Sequence, residues 1–264
     1  MLELKTIDKT FNQGTVNENK VLNGLSLTLE DGDYVTVIGG NGAGKSTLLN
    51  IIAGVATPDS GSVFIDGEDV TKLKECKRAK YLGRVFQDPM MGTAAKMSID
   101  ENLALAARRG HKRGLKWGLP KSEESNFKEL LALLELGLEE RLESKIGLLS
   151  GGQRQAITLL MATINKPKLL LLDEHTAALD PKTAAKVLEI TDKIITKYKL
   201  TTVMITHNMR DAIKHGNRLI MLDAGRVILD IKGEQKQKLT VDELLKLFEQ
   251  MGGEDEPTDS MLLS

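Results

Sequence analysis

The sequence predicts an α/β fold: a core with a mostly parallel sheet, an N-terminal antiparallel β-subdomain and an inserted helical subdomain. Three observations predict it. Residues 169–172 are four consecutive leucines, the pattern of a central strand covered on both faces. Downstream of them, strand-like and helix-like stretches alternate, which calls for parallel strands joined by crossover helices. Between about residues 90 and 165 the chain is helix-like instead, with Leu and Ala at helical spacing, and reads as an insertion.

The elements follow in order. Residues 2–7 and 24–29 alternate like antiparallel strands, interrupted by turn chemistry at Gly14 and residues 17–19. After the turn Asp31-Gly32-Asp33, residues 34–38 read as a buried strand, followed by a glycine-rich loop and a helix over 46–53. A strand over 63–65 meets the turn Asp66-Gly67. A strand over 81–86 ends at Gln87-Asp88-Pro89. Helices are expected over 100–109, 126–136 and 152–165, with a basic, glycine-containing link over 110–121. Then come the leucine strand, a helix over 182–198, a strand over 201–206, a helix over 208–215 and strands over 218–222 and 226–231. Thr240-Val241-Asp242-Glu243 is a capping box opening a helix to about residue 251. Residues 1–250 are read as one domain, with the helical subdomain at about 90–165, and residues 251–264 as a flexible tail.

A chain of 264 residues buries an adequate core without staples. A formal net charge of −1 gives no push toward nucleic acid, and no nucleic-acid partner is expected. The single cysteine, Cys76, allows no internal disulfide and suits a reducing compartment. No run of 18 apolar residues exists, and the N-terminus lacks a signal-peptide core. A cytosolic chain is expected, one that serves a membrane only by docking to a partner.

Gly39-Gly40-Asn41-Gly42-Ala43-Gly44-Lys45-Ser46 matches G-x-x-x-x-G-K-[ST] between a strand and a helix, which sharpens the class to a P-loop NTPase core. Glycines let consecutive N–H groups converge, and the helix N-terminus adds positive potential. Gly39, Asn41, Gly42, Ala43, Gly44, Lys45, Ser46 and Thr47 are therefore candidate ATP contacts. Lys45 reaches the β- and γ-phosphates and the Ser46 hydroxyl ligates Mg²⁺. Asp173 and Glu174 follow the leucine run. A strand ending in acids is weak alone, but beside this loop Asp173 suits Mg²⁺ and Glu174 suits a general base for the attacking water.

Leu149-Ser150-Gly151-Gly152-Gln153, followed by Arg154-Gln155, resembles the signature of the ABC (ATP-binding cassette) family. A serine, two glycines and a helix start make a second phosphate surface, which makes sense if it covers ATP held by another copy. The resemblance spans about residues 1–250. It implies a head-to-tail dimer with two ATPs between the copies, contacted by Ser150, Gly151, Gly152 and Gln153. It places Gln87 near Mg²⁺ and the attacking water, Ala178-Leu179-Asp180 at the dimer interface and His207 at the γ-phosphate. It puts Phe11 on adenine, with core packing as the other reading of that ring. His175 departs from the family pattern, which often has Pro there. His111, His175 and His215 receive no catalytic role.

Within the family, residues 85–92 and 98–103 resemble ATPase subunits of bacterial binding-protein-dependent importers, and residues 86–92 with His175 resemble a Gram-positive branch of these, some linked to small organic solutes such as aromatic amino acids. The partners this implies are a second copy, integral membrane permease subunits and, indirectly, an extracellular solute-binding protein. The implied place is the cytoplasmic side of the membrane, peripherally bound. The alternatives are an exporter ATPase or a soluble non-transport ABC protein such as a cluster-assembly factor. The basic stretch 108–121, with Arg108, Arg109, Lys112, Arg113, Lys116, Lys121 and Trp117, reads as a surface loop or as a contact with permease or anionic lipid.

Overall fold

Alternating residues build the first layer. The structure, a computed structural model, is described for residues 1–110 and 121–250. Strand β1 (Leu2–Phe11) buries Leu2, Leu4 and Ile7, and β2 (Asn19–Leu29) buries Leu22, Leu25, Leu27 and Leu29. The two pair antiparallel, Leu2 opposite Leu29 and Phe11 opposite Asn19. Both strands run longer than their alternation suggests. Register shifts between Leu4 and Thr10 bulge the ribbon and break the period-two signal there.

The chain continues through β3 (Tyr34–Gly39), α1 (Lys45–Ala53), β4 (Ser60–Ile65), β5 (Glu68–Asp69), α2 (Glu75–Arg78) and β6 (Leu82–Val85). The helical part holds α3 (Ile99–Ala107), α4 (Lys121–Ala132), a 3-10 turn (Ile146–Leu148) and α5 (Gly151–Thr163). The last part holds β7 (Leu169–Asp173), α6 (Pro181–Tyr198), β8 (Thr202–Ile205), α7 (Met209–Lys214), β9 (Arg218–Asp223), β10 (Arg226–Lys232), α8 (Gly233–Lys238) and α9 (Val241–Gln250). Among the described residues, one sheet runs β2-β1-β4-β5 and is antiparallel. The other runs β10-β9-β3-β8-β7-β6 and is parallel except for the β9–β10 hairpin.

The leucine run shows why the second sheet sits at the centre. Leu169 and Leu171 join the apolar cluster between the two sheets, with Leu48, Leu49, Ile51 and Ile52 of α1. Leu170 and Leu172 join the opposite cluster, with Phe127, Leu131, Ile157 and Leu160 of the helical part. Each such side chain stabilises the fold by roughly 1.5–3 kcal/mol relative to exposure. A strand with two apolar faces is thereby fixed between two layers.

Two short helices carry no readable signal. The inward residue of α2 is a cation, Arg78, whose guanidinium donates to the carbonyl oxygens of Ile52 (2.8 Å), Leu73 (2.9 Å), Thr71 (2.9 Å) and Ile51. It seats on the carbonyl end of α1, where a positive charge is favoured. Lys236 of α8 is likewise buried, donating to the carbonyls of His215 and Gly216. Helix α4 runs over Lys121–Ala132 rather than 126–136; its polar first turn has no apolar periodicity from which the start could be read. Among the described residues no helix is long and apolar enough to cross a membrane. His111, Lys112, Arg113, Lys116, Trp117 and the tail 251–264 lie outside the described residues. Arg109, at the start of the basic stretch, turns inward and donates to the Ala162 carbonyl (2.9 Å).

Candidate functional site

The site begins where β3 ends. All six residues of β3 are buried, and the strand lies between β8 and β9 in parallel register. The loop after it therefore leaves the carboxyl edge of the sheet. Gly44 precedes α1 with φ 98°, and a Cβ there would meet Leu22 Cδ2 at 2.7 Å and the Val21 carbonyl oxygen at 2.9 Å. Conformation and space both require glycine. Helix α1 has no side-chain cap and no acid in its first turn, so its leading N–H groups remain available to an anion. The Lys45 side chain curls into the loop, and Nζ donates to the carbonyls of Gly39 (2.8 Å) and Gly40 (2.9 Å). Lys45 is only 8% exposed; burial lowers its pKa while Glu174 opposes that shift. A buried ammonium beside uncapped N–H groups is chemistry that fits a polyphosphate. Asn41, Gly42 and Ser46 are exposed, Thr47 is half-buried and Ala43 is buried.

Strands β7 and β8 bring the next groups to the same edge. Glu174 follows β7 with φ 45°, a left-handed conformation that costs a non-glycine residue about 1–3 kcal/mol. Its N–H donates to the Ile205 carbonyl (3.1 Å) and its carbonyl accepts from the Ala177 N–H (3.0 Å), which holds the turn. His207, just beyond β8, places Nδ1 3.6 Å from Glu174 Oε2. The imidazole holds the Glu174 carboxyl below its ordinary value, with Lys45 adding to the effect, and the carboxylate raises His207 in return. Glu174 is thus kept ionised, the form a base requires.

Asp173 closes β7 and lines a cavity of about 650 Å³ with Gln87, Asn50, Arg84 and Phe86. Ser46, Asp173 and Gln87 offer only oxygen ligands, the set a hard dication prefers. Among the described residues no group of three or more His, Cys, Asp or Glu could hold a metal ion by itself. Magnesium would therefore lean on phosphate oxygens as well, and the residues fit that mode of binding.

The turn 149–153 is built differently. Ser150 caps α5, its Oγ accepting from the Gln153 N–H (3.3 Å), while the Gln153 side chain accepts from the Ser150 N–H (3.2 Å). Arg154 donates to the carbonyls of Ile146 (3.4 Å), Gly147 (3.2 Å) and Leu149 (3.3 Å). A Cβ on Gly152 would lie 2.1 Å from Thr183 Cγ2, so α5 packs on α6 at bare backbone. Leu179 Cδ2 lies 3.3 Å from a Cβ built on Gly151, and Asp180 caps α6 by accepting from the Thr183 N–H (3.1 Å). Ser150, Gly152 and Gln153 line a cavity of about 390 Å³ with Lys182 and Thr183. It shares no lining residue with the one around Asp173 and Gln87.

Five residues add to the reading of the sequence. Phe11 is 39% exposed with Lys9 Nζ 5.5 Å from its ring centre, so core packing is excluded for it. Gln155 is fully buried, and its Nε2 donates to the Phe86 carbonyl (3.1 Å), tying α5 to the strand end before Gln87. His175 is buried, with Nε2 3.2 Å from Thr191 Oγ1, and burial drops its pKa to about 4. His215 is buried too, with Nδ1 2.7 Å from Asp192 Oδ2. Arg84 was given no role by the sequence; the signal available was a cation in an otherwise apolar strand.

Comparison with known proteins agrees with this geometry. A family model described as ABC transporter matches residues 22–177. The chain is 47% identical over 249 residues to the tyrosine transport ATP-binding protein of Clostridioides difficile (strain R20291), covering 94% of this chain and 99% of that protein. It is 34% identical over 230 residues to a spermidine/putrescine import ATP-binding protein of Haemophilus influenzae, spanning 87% of this chain but 57% of that longer protein. A dimeric ATP-binding cassette solved in a post-hydrolysis state with ADP and Pi superposes with a TM-score of 0.73 at 32% identity, over 88% of this chain and 98% of that one. The lysine-bearing loop, the carboxylate behind it and the self-capped second turn thus stand in a known setting: the chain belongs to the ABC transporter family, as an ATP-binding and ATP-hydrolysing cassette.

Proposed function

We propose that this chain energises uptake of an amino acid of the tyrosine class, as one of two identical cassettes docked on integral membrane permease subunits. The carrying observation is the 47% identity to a tyrosine transport ATP-binding protein along 99% of that protein's length. An extracellular solute-binding protein delivers the solute, and the cassettes sit peripherally on the cytoplasmic side of the membrane.

The residues divide the work as follows. The loop from Gly39 to Thr47 cradles the β- and γ-phosphates on its N–H groups, and Lys45 leaves its two carbonyls to meet them. Phe11, exposed at the end of β1, offers its face to adenine. Ser46, Asp173 and Gln87 would hold Mg²⁺, which would neutralise phosphate charge. Glu174 accepts the proton of the attacking water, and His207 steadies both that carboxylate and the γ-phosphate. The turn bearing Ser150, Gly151, Gly152 and Gln153 closes on ATP held by the second copy. That second surface is supported by the dimeric post-hydrolysis cassette of similar fold.

The test is transport. Cells lacking this chain should lose uptake of radiolabelled tyrosine and regain it with the wild-type chain but not with Glu174→Gln. Full tyrosine uptake in the deleted strain, with loss of a different solute, would replace the solute assignment.

A further inference from the structure

Arg84 touches three parts of the nucleotide site without belonging to any motif in it. Its neighbours on β6, Leu82, Gly83 and Val85, are buried, and Arg84 itself turns toward α1 and β7. Nη2 donates both to Asp173 Oδ2 (3.1 Å) and to Asn50 Oδ1 (2.9 Å). The guanidinium also lies 4.7 Å from the centre of the Phe86 ring, next to Gln87. The ion pair is largely withdrawn from water, with side-chain exposures of 14% for Arg84 and 18% for Asp173. Arg84 Nε is buried without a partner among the described residues, so the guanidinium is held by Asp173, Asn50 and the ring rather than by its full donor set.

A fixed positive charge on the carboxylate that would serve a divalent cation has two consequences. It keeps Asp173 ordered when the cation is absent, since an unpaired half-buried carboxylate would otherwise swing toward water. It also repels the cation, because little water screens the two charges. An arginine cannot relieve that repulsion by losing its proton. One carboxylate oxygen carries the guanidinium while the other stays available, so the two cations share Asp173. The arm that shares it stands three residues before Gln87, on the same strand end.

We propose that Arg84 is a positioning residue that competes with Mg²⁺ for Asp173 and raises the magnesium concentration needed to complete the nucleotide site. The proposal rests on the assignment of Asp173 to the metal made above. It goes beyond that assignment by naming an internal cation that sets the metal requirement.

The experiment is a Mg²⁺ titration of the purified chain at fixed fluorescent ATP analogue, read as nucleotide binding rather than hydrolysis. Arg84→Met should lower the Mg²⁺ midpoint, on the order of tenfold, while binding measured in EDTA stays unchanged. Arg84→Lys, which keeps the charge, should remain near wild type. Arg84→Gln, which keeps a donor for Asn50, should follow Arg84→Met and stands in for it if that variant folds poorly. In an Asp173→Asn background, Arg84→Met should no longer move the midpoint. An unchanged or raised midpoint in both neutral variants overturns the proposal even where Asp173→Asn weakens the magnesium response. If Asp173→Asn leaves that response intact, the metal assignment of Asp173 falls, and the role of Arg84 falls with it.

Discussion

The loop over residues 39–46 and the turn over 149–153 look alike in sequence, each placing small residues just before a helix, yet they are finished in opposite ways. The first leaves the head of α1 without a side-chain cap and parks a buried ammonium on two of its own carbonyls. The second closes on itself through the reciprocal bonds of Ser150 and Gln153, with Arg154 fixing the carbonyls before it. In the proposed function the first is the receptor, whose leading N–H groups bound phosphate would satisfy. The second is the proposed lid, whose polar groups are already paired within the chain. The proposed pair of cassettes would use both kinds, an open site on one copy and a self-capped surface on the other.

Breaking chemistry while sparing both turns should give the largest effect. Glu174→Gln should cut phosphate release by about a hundredfold or more while ATP stays bound, and size-exclusion chromatography with ATP should show a dimer; a monomer would separate the second turn from the nucleotide. Next comes the receptor loop. Gly44→Ala forces an alanine into φ 98° against Leu22 and Val21, and calorimetry should show ATP affinity lower by about tenfold or more, from roughly 1–2 kcal/mol of backbone strain plus the displaced contacts.

The pH dependence of stability concerns the floor behind Glu174. Buried His175, facing Thr191 and influenced by His215 and Asp192, has a folded pKa of about 4 against 6.5 when free. The unfolded chain therefore takes up the proton first, so stability is full above about pH 6.5 and declines as pH falls toward 4, by on the order of 3 kcal/mol. Urea midpoints of wild type and His175→Asn at pH 7.5 and pH 5 check this; equal acid losses in both would assign the loss elsewhere. The smallest effect belongs to the preformed turn. Ser150→Ala should lower thermal stability by about 1 kcal/mol, the usual worth of a cap, and leave ATP binding to the isolated chain unchanged. A loss of binding there would erase the distinction between receptor and lid.

Much of this arrangement was legible in the chain. The leucine run declared a strand with two apolar faces, and the spacing of Gly39, Gly44, Lys45 and Ser46 declared a glycine-rich loop between a strand and a helix, because each depends on local pattern alone. Arg84, Gln155 and Arg78 were not legible. Their partners, Asp173, the Phe86 carbonyl and the end of α1, are distant in sequence, and only the packed sheet reveals what each faces. Helix α4 was half-read for a related reason. Its first turn carries acids, Glu124, Ser125 and Asn126 are exposed, and the stretch leaves no apolar rhythm. His175 was noticed as a departure from the family pattern, yet its burial against Thr191 needed the structure.

The seat that Arg78 makes under α1 has a mechanical result. Nine residues of α1, about 13 Å of rod, run from the phosphate loop to that guanidinium. Alongside the seat, Glu75, Cys76 and Ala79 of the α2 region line an open surface groove with Phe86 and Met91. A rod braced at its rear does not absorb displacement by fraying; it delivers it. The bonds from Arg78 to the last carbonyls of α1 thus tie the rear of that helix to the wall of the groove.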